Sequence, residues 1–286
     1  MTKNTPEALV ASVVHLIALP SVYTLLEEIL NNPNHTRDDI AQIVSADPVL
    51  CARILRVVNS SYYGLPKSVQ NIATAVNLIG EYDIRNMVLV TSVVNSMSSL
   101  VDDGIDIFEF WQHSIRCGIA ARLIAKKNTE VDPELLFLCG LLHDLGQLVI
   151  YKKEPELSAT VSWHVINEGN ERYQVEQNLL GFDHAEVGGL LLESWGLSEK
   201  INTIIKCHHQ TDERHYQFEA ELVSFADHLS HFLELNDNVA NIDIETVPVI
   251  LKNFLSGFGI GKETFIELLS EVKEQSQAIE EIIIKA

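Results

Sequence analysis

Positive charge is scarce in this sequence: 20 lysines and arginines stand against 40 aspartates and glutamates, a formal net charge of −20 over 286 residues. General binding to nucleic acid or to an anionic membrane needs a positive footprint, so this balance excludes both while leaving room for a small basic pocket. Cysteine is scarce too. Cys51, Cys117, Cys139 and Cys207 lie far apart with no CxxC, which excludes a disulfide scaffold, and the apolar stretch around each predicts a buried free thiol. Long apolar runs are missing: Leu135 to Leu142 is too short to span a bilayer. The opening Met-Thr-Lys-Asn-Thr-Pro shows no positive region ahead of a small-residue cleavage site. These absences predict a soluble, cytoplasmic protein of a reducing compartment. Alternating strand patterns are nearly absent, no repeat of about 20 to 50 residues is visible, and no G-x-S-x-G elbow exists.

What is present is helical period. Thr36, with Asp39 three residues on, has the form of an N-cap opening a helix through Ile40 and Ile43. Asp47-Pro48 stops it and starts the next, with proline at the first helical position, until Tyr63-Gly64-Leu65-Pro66 breaks that one. Ile72, Ala75, Val76 and Ile79 line a third helix that Gly80 ends, and the period continues from Ile84 to Met97. Further helices are predicted over 106–127, 133–152, 155–168, 171–180, 183–195, 198–210, 219–234, 243–255 and 261–284. Val101-Asp102-Asp103-Gly104 reads as a boundary. The chain therefore reads as all-α, with an N-terminal helical lobe over 1–104, a second lobe over 105–235 and a C-terminal helical segment over 236–286. At 47% apolar it can bury a real core.

Eleven histidines in an acidic chain exceed what a core needs. His143 and Asp144 close the apolar segment that begins at Leu135, and burying a carboxylate beside an imidazole is costly unless something cationic compensates. A divalent metal is one such partner. Other helical segments offer His113, His184, the pair His208-His209, and Asp227. By contrast, Gly257-Phe-Gly259-Ile-Gly261-Lys262-Glu263 makes a poor phosphate loop: no strand precedes it, and Glu263 stands where a serine or threonine would hold Mg²⁺. A turn between helices explains it better.

The ordered set H…HD…H…HH…D, each member inside an apolar helix, resembles the HD superfamily of metal-dependent phosphohydrolases, whose ligands come from separate helices of an all-α bundle. That resemblance implies His113, His143, Asp144 and Asp227 as ligands of a first metal. The His184 segment, with Gly188 and Leu190-Leu-Leu after it, and His208-His209 are similar to the additional ligands of the HD-GYP branch, which implies His184 and His208 around a second. In the N-terminal half, Leu19-Pro20-Ser-Val, Asp47-Pro48, Val58-Asn59-Ser60, Tyr63-Gly64 and Leu78-Ile-Gly80 together resemble the HDOD module, the HD-related output domain of bacterial signalling proteins. The implied fold is an HD-domain-like helical bundle with an N-terminal helical lobe. The implied cofactor is a divalent transition metal (Fe, Mn or Zn), as one or two ions. The sequence departs from the HD-GYP branch at Gln147, where a lysine follows His-Asp-x-Gly, and in having no Gly-Tyr-Pro after His209-Gln210. Gln147 cannot supply the cation that would hold a phosphate oxygen, which argues against cyclic-dinucleotide hydrolysis.

Each candidate also has a purely structural reading. His143 with Asp144 reads as a neutral histidine beside a capping carboxylate, and His113 as a satisfied core histidine after Trp111. Asp227 and His231, four apart, share a helix face and can pair without metal. His184 reads as the polar start of its helix and His208-His209 as a helix end favoured by the dipole. His15, His35, His164, His215 and His228 read as surface or core residues. Two functions are compatible with this pattern. One is a regulatory HDOD protein acting through a signalling partner or a small phosphate-containing ligand; the other is a working phosphohydrolase, a phosphodiesterase or phosphomonoesterase. The family and Gln147 place the first ahead. A basic group near the pocket separates them, and Arg116 and Lys206 are the nearest in sequence.

Overall fold

The computed structural model describes residues 5–17, 19–98, 105–127, 130–210, 215–236, 239 and 242–284, and among them there is no strand. The N-terminal helices are α1 (Pro6–Val13), α2 (Ser21–Leu30), α3 (Arg37–Ser45), α4 (Pro48–Val58), α5 (Ile72–Ile79) and α6 (Glu81–Ser98). Thr36 does cap α3 in a full capping box with Asp39, and Asp47 caps α4 ahead of Pro48. The expected boundary at 101–104 lies outside the described residues. The short α1 and α2, which the motif reading did not single out, follow the same logic: buried Leu9, Val10 and Val13 face one way on α1, behind the Thr5 cap.

The rest of the chain forms α7 (Ile107–Ala125), α8 (Pro133–Leu142), α9 (Leu145–Lys153), α10 (Pro155–Glu168), α11 (Arg172–Leu180), α12 (His184–Ser194), α13 (Glu199–Cys207), α14 (Gln217–Leu235), α15 (Val249–Gly257) and α16 (Lys262–Ile283). Two expectations are corrected. The helix predicted over 133–152 is two helices, because Asp144 adopts φ −99°, ψ 4° and ends the α-helical ladder. The helix predicted over 243–255 is a 3₁₀ turn (Ile244–Thr246) followed by α15, since Pro248 has no N–H to continue it. After Gly257 ends α15, residues 258–261 of the glycine-rich segment are indeed a turn, joining α15 to α16. Cys117, Cys139 and Cys207 are buried and outside any disulfide, whereas Cys51, expected to be buried, is half-buried. Residues 133–153 are long and apolar enough by composition to cross a membrane, yet 78% of their apolar 18-residue stretch is buried within the bundle.

α7 is the central rod. Trp111, Ile115, Ile119 and Ala120 are fully buried along it, and it packs against α8, α14 and α16. Two glycine contacts set the helix spacings that position the site. A Cβ on Gly140 of α8 would lie 2.8 Å from the Cα of Gly118 on α7, so both glycines are needed for these backbones to touch. At the second crossing a Cβ on Gly146 would lie 2.0 Å from the carbonyl oxygen of His184, which locks the start of α9 against α12. The N-terminal helices meet the later ones through Tyr62, whose phenol donates to Glu134 of α8 at 2.9 Å. α1 lies against α9 and α12, and α16 spans from α7 to α4.

Candidate metal centre

Five places in the chain deliver side chains to one spot. α7 brings His113, the α8–α9 break brings His143 and Asp144, the start of α12 brings His184, the end of α13 brings His208, and α14 brings Asp227. All six residues singled out from the sequence are buried and brought together. The break between α8 and α9 matters here: it lets neighbouring residues 143 and 144 both aim into the same space. Asp144 faces two groups at once. Its Oδ2 is 3.3 Å from His143 Nε2 and 3.9 Å from His113 Nε2, while its Oδ1 is 3.0 Å from His184 Nε2. Asp227 Oδ1 lies 3.0 Å from His113 Nε2 and 3.6 Å from His143 Nε2. On the other side of Asp144, His208 and His209 pack at 3.8 Å between ring centroids, and Nε2 of His209 is 2.8 Å from Nε2 of His184. His113, His143 and Asp144 form one group, and His184, His208 and His209 another. Within each the ligand atoms lie within 4.8 Å of one another, close enough to hold an ion.

The rings are oriented from behind. His113 Nδ1 donates to Glu234 at 2.8 Å, His143 Nδ1 to the carbonyl of Gly140 at 2.7 Å, His184 Nδ1 to Glu176 at 2.6 Å, and His208 Nδ1 to the carbonyl of Ile205 at 2.7 Å. All four partners can only accept, so each Nδ1 carries a proton and each Nε2 is turned toward the centre. Backing by a carboxylate or carbonyl is how ligating histidines are fixed in the right tautomer. The inward atoms are left over: Nε2 of His113, His143 and His208 and Oδ1 of Asp227 are buried without a hydrogen bond, even where a neighbour is close. Three or four nitrogen and oxygen donors per group, imidazole with carboxylate, suit a divalent transition metal. The residues present fit that cofactor.

The electrostatics without an ion point the same way. Burial pulls the His113 imidazole down, but Asp227 and Glu234 outweigh it and hold the ring at about 10. Burial likewise opposes the charge on His184, and Glu176 with Asp144 overcomes it, again to about 10. His143 is raised by Asp144 against burial. Burial pushes Asp144 up, yet His143 and His184 keep its carboxyl well below the usual range. His208, buried and beside two cationic rings, drops to about 4. A cluster of carboxylates thus draws protons onto nitrogens that a cation would otherwise occupy.

Two residues that support the centre, Glu234 and Glu176, were not picked out from the sequence, whereas His209 was read there as a pair with His208. Glu234 accepts from His113 and from His231 (3.1 Å) and stands seven residues after Asp227 on one helix face, a spacing that could have signalled it. Glu176, eight residues ahead of His184 on another helix, carried no such signal. His231 pairs with Asp227, Nε2 to Oδ1 at 3.4 Å, as its spacing suggested. The expected bystanders His15, His35 and His164 lie away from the centre, the last two held by Glu81 and Glu168, but His228 lines the cavity described next.

The centre opens into a cavity of about 1720 Å³ between α7, α9, α10, the start of α11 and α14. Gln147 faces it. Of the two basic residues nearest in sequence, Lys206 pairs with Glu193 at 3.1 Å and is not among the lining residues, while Arg116 lines the wall but is held by Glu280 at 3.5 Å and Glu234 at 4.0 Å.

Comparison with known proteins agrees with this architecture. The HDOD domain family matches residues 16–211. A crystal structure of a candidate phosphohydrolase from Shewanella amazonensis SB2B superposes with a TM-score of 0.76 at 27% identity, over 96% of this chain and 98% of that one. An HDOD domain protein of unknown function from Geobacter sulfurreducens gives 0.76 at 26% identity, over 98% of each chain. An uncharacterised protein of Treponema pallidum (strain Nichols) is 25% identical over 263 residues, 90% of this chain and 49% of its own length, so the chain spans about half of that curated relative.

Proposed function

The chain belongs to the HDOD family; against the ranking that the family and Gln147 suggest from sequence, we propose from the geometry of the centre that it is a metal-dependent hydrolase of phosphate esters. The observation that carries this reading is the set of four imidazoles whose Nδ1 protons are fixed from behind while the inward nitrogens converge, three of them without any partner. His113, His143, Asp144 and Asp227 would hold one ion. His184 and His208, with His209 beside them, would hold a second, and Asp144 would serve both through its two oxygens. A divalent ion bound there supplies an acidified water and a counter-charge for phosphoryl oxygens. Structural metal sites are closed by protein ligands, whereas this one faces a cavity large enough for an organic phosphate. Glu234 and Glu176 keep the rings oriented. His231, at the cavity wall beside Asp227, would be the side chain to hand a proton to a leaving oxygen.

A regulatory reading has one specific support. Glu280 of α16 accepts from Gln112 at 2.7 Å and pairs with Arg116, which reaches the same Glu234 that holds His113. His113 is thereby linked through Glu234 and Arg116 to Glu280 of the C-terminal helix, a route by which a ligand-sensing centre would reach a signalling partner. The test is turnover of p-nitrophenyl phosphate and bis(p-nitrophenyl) phosphate by protein stripped with chelator and reloaded with Mn²⁺, Fe²⁺ or Zn²⁺. Metal-dependent hydrolysis of either, lost in Asp144→Ala with helicity retained, supports the hydrolase. Ion-loaded protein that turns over neither with any metal leaves the regulatory reading.

A further inference from the structure

Phosphoryl transfer needs a cation on the nonbridging oxygens, and at Gln147 the wall of this cavity is neutral. Among the described residues lining the cavity, the lysine and arginine side chains number two, Arg116 and Arg172. Arg116 is already engaged by Glu234 and Glu280. Arg172 has no carboxylate within ion-pairing distance among the described residues, although the preceding Glu171 lines the same cavity.

The placement of Arg172 follows from the helix that carries it. Glu176 lies four residues on, so the two share one face of α11, and Glu176 is the buried acceptor of His184 Nδ1. Tyr173 stacks on His209 with centroids 4.6 Å apart and ring planes 11° apart. The same helix therefore holds a ring of the centre at residue 176, stacks on another at residue 173, and contributes Arg172, one turn before Glu176, to the cavity wall. A planar guanidinium grips two phosphate oxygens at once, which a lysine cannot do.

Building on the hydrolase reading, we propose that Arg172 is the phosphate anchor of this site, gripping the nonbridging oxygens of a phosphate ester and supplying from α11 the cation that Gln147 lacks.

The test uses the full chain loaded with Mn²⁺, and its probe is inorganic phosphate, measured by calorimetric titration and by bound-metal analysis. Arg172→Ala should leave metal content unchanged and weaken phosphate binding by about 10- to 100-fold, with Arg172→Lys between the two. Adding Gln147→Lys to Arg172→Ala should recover part of the loss, an outcome that separates a missing cation from a disturbed helix. If the wild type turns over p-nitrophenyl phosphate, the loss in Arg172→Ala should appear in kcat/KM as well. Phosphate binding that depends on Arg172 in a protein without turnover sustains the anchor and sinks the hydrolase. Phosphate binding that is absent in the wild type, or unchanged in Arg172→Ala, overturns the anchor itself.

Discussion

His113 and Arg122 lie nine residues apart on α7, both buried, and their surroundings could hardly differ more. Arg122 is fully answered by its own chain. Its Nε donates to Glu134 at 2.6 Å, one terminal nitrogen donates to the carbonyl of Tyr62 at 3.2 Å, and its guanidinium sits 3.8 Å from the centre of the Tyr62 ring, while the Tyr62 hydroxyl donates back to Glu134. His113 is answered on one side only: Nδ1 is held by Glu234, and Nε2 faces other unsatisfied atoms. Both clusters bear the cost of burying charge. The closed one uses it to join two helical regions. In the open one, the atoms left over at the centre of a fully supported ring set are those that the proposed ions would take up.

That contrast can be broken most forcefully at the closed end. Arg122→Ala strands a partly buried carboxylate and removes the stacking on Tyr62, so an unfolding titration should show a loss of about 3 kcal/mol. At the open end, Asp144→Ala should do the reverse: far-UV circular dichroism close to wild type, and bound transition metal reduced to a trace, because the one carboxylate facing both histidine groups is gone. A milder change, Glu176→Gln, keeps a hydrogen-bond acceptor for His184 but removes its charge. Metal affinity, read by competition with a chromogenic chelator, should fall by about 10- to 100-fold.

The smallest expected effect sharpens the comparison from the closed side. Burial, aided by the nearby Glu134, raises the Asp83 carboxyl to about 7. The folded state therefore keeps a proton there that the unfolded chain releases near pH 4, and the contribution to stability falls as pH rises from about 4 to about 7. Asp83→Asn should flatten that slope and raise the Tm modestly at pH 8, with no gain at pH 4.

Much of this was legible in the sequence, for identifiable reasons. Helix positions followed from apolar period and from caps such as Thr36 and Asp47, whose side chains act within three residues of themselves. The six buried candidates were legible because each interrupts an apolar face with a group too costly to leave unanswered. The break at His143-Asp144 was not, since the apolar pattern runs on through it from Leu135 to Ile150; only the contact of Gly146 with the His184 backbone, across α9 and α12, shows why the chain turns there. Glu176 and Arg172 were hidden for a related reason. On α11 they are ordinary charged residues of a helix, and their roles come from where that helix docks.

Metal uptake tests the central claim most directly. Chelator-stripped protein, titrated with Mn²⁺ or Zn²⁺ at neutral pH and analysed for bound metal after gel filtration, should take up one or two ions per chain, and the folded double variant His143→Ala, Asp227→Ala should take up none. No uptake by the wild type, or equal uptake by that variant, would contradict the account.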